Sequence, residues 1–323
     1  MEKDLTLLVP MYNKAPYIDR MVKSLSEQTY LDQTKIIVCD DKSTDNSIEV
    51  LSRAAKKYHV QMTLFMNEEN LGLSRTIRNL YRKIETDFWA VLDPDDYYVH
   101  SERLSKAVDF LKAHPDFSMH GCNFALQDPD GRTRAAYPLK AMNLDCDNYE
   151  RMPFVQTSAG TFRNFWTAEI LNYIDDSAGN RRVHFTQGDG FRNFVAIHFG
   201  KLHIENFIGS LYSIQAGGMY TSLTDFERSL MSIQSSLDLA GFERDFFHDQ
   251  KTLDQLLHAS REHYIEAVNF LNEMMLNFSA GEFRAKKYAM DVLRLKSDNI
   301  LAVVEYLVET GKFFKSTGVS RIK

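Results

Sequence analysis

Apolar and polar positions follow two regimes along this 323-residue chain. In the first third, short uninterrupted apolar runs alternate with longer segments that repeat apolar residues every three or four positions. The runs Leu5–Val9, Lys35–Cys39, Met62–Phe65 and Phe88–Leu92 predict strands, and apolar runs without alternation suit strands covered on both faces. The segments Tyr17–Gln28, Thr44–Tyr58, Ser74–Ile84 and Ser101–His114 predict helices, with Ser43 expected to cap the second. Regular strand–helix alternation implies parallel strands joined by right-handed crossovers, hence an α/β fold with a mostly parallel sheet flanked by helices.

The second regime begins past the middle. All seven prolines lie at or before Pro153, and from about residue 225 glycine is scarce as well. Losing both punctuating residues predicts long helices. Leu253–Ala259 and Tyr264–Leu271 carry apolar residues at helical spacing. The expected division is therefore an α/β domain over 1–224 and a helical C-terminal extension over 225–323.

Composition refines this only slightly. With 44% hydrophobic and 25% charged residues the chain is ordinary for a globular protein, and its net charge of −6 gives no reason to expect nucleic acid as a partner. The three cysteines, Cys39, Cys122 and Cys146, form no CxxC pair, so neither a disulfide framework nor a structural zinc site is expected. Met1–Asp4 lacks the apolar run of a signal peptide, and no stretch approaches the roughly 20 apolar residues of a membrane span. The expected location is cytoplasmic. A peripheral contact at the inner face of a membrane, and a homo-oligomer through the C-terminal helices, remain open.

In open sheets of this kind ligands bind outside the carboxyl ends of the strands, so the strand ends carry the functional information. The first strand ends in Pro10-Met-Tyr12-Asn13 and the second in Asp40-Asp41. The third leads to Asn67-Glu-Glu-Asn70-Leu-Gly72, and the fourth ends in Asp93-Pro-Asp95-Asp96. One such turn is an ordinary helix cap. Four in register repel one another unless a cation or ligand offsets them. Hard ions such as Mg2+ and Mn2+ favour carboxylate oxygens and often bind through one or two of them plus substrate phosphates, which makes Asp95 and Asp96 the expected metal ligands. Asp40 and Asp41 can only accept hydrogen bonds, which suits a base N–H or ribose hydroxyls. Asp45 is expected to support a helix N-terminus.

The pieces Val9–Asn13, Val38–Asp45, Asn70-Leu-Gly72 with Arg78-Asn79, and Leu92–Asp96 resemble, in order and spacing over about the first 100 residues, glycosyltransferase family 2, whose members have the nucleotide-diphospho-sugar transferase fold called GT-A. The resemblance implies an inverting transfer of sugar from a nucleotide-sugar donor. Asp40 or Asp41 would bind base and ribose, and Asp93–Asp96 the metal and diphosphate. Pro10, Tyr12, Asn13, Asn70, Gly72 and Arg78 would border the nucleotide. The family's catalytic acidic pair finds its best match at Thr186-Gln-Gly188-Asp189-Gly-Phe-Arg192, where Gly188 replaces the first acid. Asp189 is thus the expected base, with Asp175-Asp176 as competitor. No Gln-x-x-Arg-Trp signature is present, so one sugar per encounter is expected, onto a glycan or lipid-linked glycan. The rival readings are a catalytically silent sugar-nucleotide-binding protein and a metal-dependent phosphohydrolase. Arg181-Arg182, His184, His198, His203 and Gly217–Ser222 are weaker site candidates. Phe165 and Trp166 could stack on an acceptor sugar or pack in the core.

Overall fold

The computed structural model describes residues 3–136, 140–147, 155–179, 188–214, 225–259 and 262–263. The first part runs β1 (Leu5–Met11), α1 (Ala15–Ser26), β2 (Thr34–Asp40), α2 (Ser47–Tyr58), β3 (Thr63–Met66), α3 (Leu73–Tyr81) and β4 (Phe88–Val91). Then follow β5 (Tyr97–Tyr98), α4 (Arg103–Ala113), β6 (Phe117–Gln127), β7 (Thr133–Ala135), β8 (Met142–Leu144), β9 (Gly160–Arg163), α5 (Ala168–Gly179), α6 (Asp189–Phe199) and β10 (Lys201–Ser213). The four strands and four helices read from apolar periodicity are present, with ends displaced by at most three residues.

The sheet order is β3-β2-β1-β4-β9-β6-β10-β5, with β7 on β6 and β8 on β10. β1 pairs in parallel with β2 and β4, β2 pairs in parallel with β3, and β6 pairs in parallel with β10. β9 is antiparallel to both β4 and β6 and joins the two parallel sets. Local sequence does not announce this antiparallel splice. β9 is only Gly160–Arg163, too short for periodicity to register.

All seven residues of β1 are buried, as a strand covered on both faces must be. Leu5, Leu7 and Val9 join Ile18, Met21 and Leu25 of α1, Val50 and Leu51 of α2, and Val108 and Leu111 of α4 in one buried cluster. Pro10 costs the ladder nothing, because the β1–β4 pairing ends at Leu8 opposite Val91, before the missing N–H. Helix α2 starts at Ser47 rather than Thr44, and Ser43 is not its cap. Ser43 Oγ donates to Asp40 at 2.5 Å and accepts the Asn13 N–H at 2.9 Å. Asp45 meets the helix ends instead, accepting from Ser47 N at 3.0 Å and Ala15 N at 3.2 Å.

Gly209 of β10 marks a close approach. A Cβ there would lie 2.4 Å from Cys122 Sγ and 2.6 Å from Arg103 Cδ. Arg103 is fully buried, and its guanidinium donates to Thr161 Oγ1 at 2.9 Å. Gly209→Ala is expected to cost about 1–3 kcal/mol through overpacking. A thermal midpoint equal to the parent's would show that the β6–β10 region repacks without strain.

The chain divides into two compact units, Met1–Ser222 and Leu223–Lys323. The described part of the second is helical: α7 (Asp225–Phe242), a π-helical segment at Glu243–Phe247, and a helix over 250–259. The apolar stretch Tyr264–Leu271 lies outside the described residues. No helix among the described residues is long and apolar enough to cross a membrane.

Candidate active site

The chain builds outward from β1 to β2 and β3, then returns across β1 to β4. The carboxyl ends of β1 and β4 therefore lead into diverging connections, the switch point where open α/β sheets bind ligands. Tyr12, Asn13 and Lys14 follow β1, and Asp93–Asp96 follow β4.

The last two aspartates of the acidic loop have different surroundings. Asp95 lies at the rim, and its carboxylate meets Lys14 Nζ at 2.5 Å, with 28% and 19% of the Lys14 and Asp95 side chains exposed. The backbone carbonyl of Asp95 accepts from Arg20 Nη2 at 3.0 Å and Ser213 Oγ at 2.6 Å. Arg20 also donates to Gln127 and stacks on Tyr97, so α1, β6 and β10 together brace this loop. Asp96 is buried. It accepts from Gln156 Nε2 at 2.5 Å and Ser158 Oγ at 2.8 Å on one oxygen, and from Ser213 N at 3.2 Å on the other. Asp96 was expected beside Asp95 as a metal ligand. The structure instead engages both its oxygens in tying β4, β9's approach and β10 together.

Asp93 stands between these groups electrostatically. Burial, then the charges of Asp95 and Asp189, push its carboxyl up to about 7. Burial and the neighbouring Asp93 and Asp95 also lift Asp96 well above the ordinary range. The Tyr212 hydroxyl is raised to about 12, by burial and then by Asp96, Asp95, Asp93 and Asp189. These acidic groups thus act on one another's ionisation.

Asp189 opens α6, and Gly188 occupies the N-cap position. Its Oδ1 accepts from Thr157 Oγ1 and from Arg192 Nη2, the latter at 2.7 Å. Among the described residues no other side chain donates to Oδ2, and 17% of the side chain is exposed. Arg192 is buried one turn along the helix and also donates to Thr157 and to Tyr81 OH. Burial raises the Asp189 carboxyl, partly offset by Arg192 and Thr157. Asp175 lies elsewhere, on α5, ion-paired to Arg82 and 3.9 Å from Arg78.

On the β2 side the acids organise loops. Asp41 accepts from Asn67 Nδ2 at 2.7 Å and Leu71 N at 2.8 Å on Oδ1, and from Gly72 N at 2.8 Å on Oδ2. Gly72 starts α3 at φ +78°, which favours glycine, and Asn70 Oδ1 accepts its N–H at 3.1 Å. Asn13, itself at φ 50°, accepts Thr44 N at 2.8 Å and clamps the β1 loop to the β2 loop. Tyr12 leaves 42% of its surface exposed at this edge. Pro10, Tyr12, Asn13, Asp40, Asp41, Asn70 and Gly72 thus lie at one sheet edge, with Asp40 and Asp41 buried there and Tyr12 exposed. Arg78 does not join them. It is buried, and its guanidinium donates to the Ile174 carbonyl of α5 at 3.3 Å, because α3 turns that face inward.

A divalent cation fits this charge distribution. The carboxylates raise one another and outnumber the Lys14 and Arg192 cations beside them. Among the described residues no three His, Cys, Asp or Glu side chains form a metal-holding group. Mg2+-type ions are often held by one or two carboxylates, with substrate phosphates completing the shell.

Sequence reasoning passed over Lys14, Arg20, Gln156, Thr157, Ser158, Arg192 and Ser213. Only Arg192 carried a local signal, its i,i+3 spacing from Asp189 on a helix. Phe165 and Trp166 belong to an aromatic pile with Trp89 and Tyr81; Trp166 stacks on Tyr81 at 4.0 Å. His198 bonds to the Phe194 carbonyl and His203 to Asn143, away from the acids. Arg181, Arg182, His184 and Gly217–Ser222 lie outside the described residues.

A mixed sheet with its acids at the switch point defines an α/β transferase of the GT-A class, and solved GT-A structures share the architecture. A mannosyltransferase from Pyrobaculum calidifontis, solved with GDP-Man and Mn2+, superposes with TM-score 0.56 at 16% identity, covering 98% of this chain and 88% of that one. TarS of S. aureus, solved with UDP-GlcNAc, superposes with TM-score 0.63 at 16% identity, covering 94% of this chain and 82% of that one. The chain belongs to glycosyl transferase family 2, whose sequence pattern matches residues 6–171. A processive diacylglycerol beta-glycosyltransferase of Mycoplasma genitalium is 28% identical over 120 residues, 37% of this chain and 35% of that protein. An uncharacterized glycosyltransferase of Haemophilus influenzae is 28% identical over 127 residues, 39% of this chain and 49% of that protein. These matches span between a third and a half of the curated relatives' own length.

Proposed function

We propose that the chain is an inverting glycosyltransferase that moves a single sugar from a UDP-sugar to a hydroxyl of a glycan or lipid-linked glycan. The observation that carries this reading is the divided carboxylate of Asp189. Arg192 and Thr157 hold Oδ1, and among the described residues no other side chain donates to Oδ2, the oxygen that would meet an incoming hydroxyl. In the proposed step Asp189 Oδ2 takes the acceptor proton while the acceptor oxygen bonds to the anomeric carbon from the face opposite the diphosphate. The anomeric carbon–oxygen bond breaks, and the diphosphate leaves with the electron pair. Mn2+ or Mg2+ held on Asp95 would neutralise charge gathering on that leaving group. Asp93 completes the donor side. Asp96 acts by holding the loop in place.

The uridine preference follows from the hydrogen bonds of Asp41. A carboxylate offers about four lone-pair sites, and three already accept from Asn67, Leu71 and Gly72. One remaining site suits the single N3–H of uracil better than the two adjacent donors of guanine. Calorimetry with Mn2+ present is expected to show UDP binding at least about tenfold tighter than GDP, a difference of about 1.4 kcal/mol. Tighter GDP binding would overturn the base preference while leaving the reaction class untouched.

A further inference from the structure

We propose that Lys14 is an internal counter-cation for Asp95 that yields its place only when nucleotide and divalent cation arrive together, and so couples cation binding to nucleotide binding. This rests on the preceding reading of Asp95 as the cation's carboxylate. Lys14 Nζ lies 2.5 Å from Asp95 Oδ2 across 81 residues of sequence. The pair sits at the rim, with both side chains partly exposed, where an ion from solvent arrives first. Deeper in the cluster, Asp96 is engaged by Gln156, Ser158 and Ser213, and Asp189 by Arg192.

The backbone of Lys14 is fixed by main-chain hydrogen bonds, whereas its ammonium is held by side chains alone, Asp95 and the ring of Tyr17. Its N–H donates to Ser47 Oγ at 2.8 Å, and its carbonyl accepts from Tyr17 N at 3.0 Å at the start of α1. The charged end rides on a flexible four-carbon stem. An ammonium and a divalent ion repel each other and compete for the same oxygen. A free ion must therefore displace Lys14 without compensation. An ion that arrives with a diphosphate brings negative charge for the released ammonium to meet. Lys14 thereby opposes cation binding alone and favours the complex.

The test uses the full chain. Mn2+ binding is followed by electron paramagnetic resonance with and without UDP, in the parent and in Lys14→Met, with thermal midpoints confirming that both fold. Without UDP, Lys14→Met is expected to bind Mn2+ about two- to fivefold tighter, the scale of a partly exposed ion pair. With Mn2+ saturating, it is expected to bind UDP about two- to fivefold more weakly. Lys14→Arg, which keeps the charge, should stay near the parent in both. If Mn2+ binds with UDP present but Lys14→Met matches the parent in both measurements, the role of Lys14 is overturned and the metal reading stands. If neither protein binds Mn2+ even with UDP, the metal reading fails and takes this proposal with it.

Discussion

Asp189→Asn is expected to lower transfer about 10²–10⁴-fold, the usual contribution of a positioned general base, while donor affinity stays close to the parent value. Asparagine keeps the shape and can still meet Thr157 and Arg192, but its remaining face cannot accept a proton from the acceptor. The charge change beside buried Arg192 makes a check on folding necessary, and circular dichroism provides it. Burial raises the Asp189 carboxyl above its ordinary value. The base works only when ionised, so kcat/KM should fall as pH drops through that raised value, and this acid limb should be missing in Asp189→Asn. Product NMR should show the anomeric configuration opposite to the donor's. A retained configuration would refute direct displacement, and a fully active Asp189→Asn would remove Asp189 from the step.

Asp95→Asn is expected to reduce kcat about 10²–10³-fold, the scale of losing one electrostatic group aimed at developing charge. Chelation of divalent ions should reproduce that loss in the parent and add little in the variant. The expected insult to the fold is small, because Asp95 sits at the rim and its loop is braced through its backbone carbonyl by Arg20 and Ser213. Asp96→Asn should behave differently. It replaces one of two buried acceptor oxygens by an NH2 that faces donors, and should lower the thermal midpoint as well as the rate. Full activity in excess chelator would sink the cation's role at Asp95 and leave the fold assignment intact.

Local sequence was sufficient for everything that periodicity and spacing encode. The runs at Leu5, Lys35 and Phe88 read as strands covered on both faces and are buried so, whereas the Met62 run forms the edge strand β3, where Phe65 and Met66 stay exposed. Their polar ends must then share one edge, because parallel strands with right-handed crossovers all point the same way. The grouping of Asn13, Asp40, Asn70 and Asp93 at one edge was therefore readable before any coordinates. The donors to each carboxylate were not, because they come from distant parts of the chain. Asp95 and Asp96 are neighbours in sequence, yet one meets Lys14 at the rim and the other is buried against Gln156, Ser158 and Ser213. Asp41 reads as a ligand for a base, yet three of its bonds go to the loop of Asn67, Leu71 and Gly72. Arg78 lies within a matching motif, yet α3 presents it to α5. Side-chain type is a local property, whereas which lone pairs remain free depends on burial and on partners tens of residues away. For this protein the sequence determined the four leading strands, their helices and the edge that gathers the acidic loops, and tertiary packing decided the antiparallel splice at β9 and which partners each acid meets.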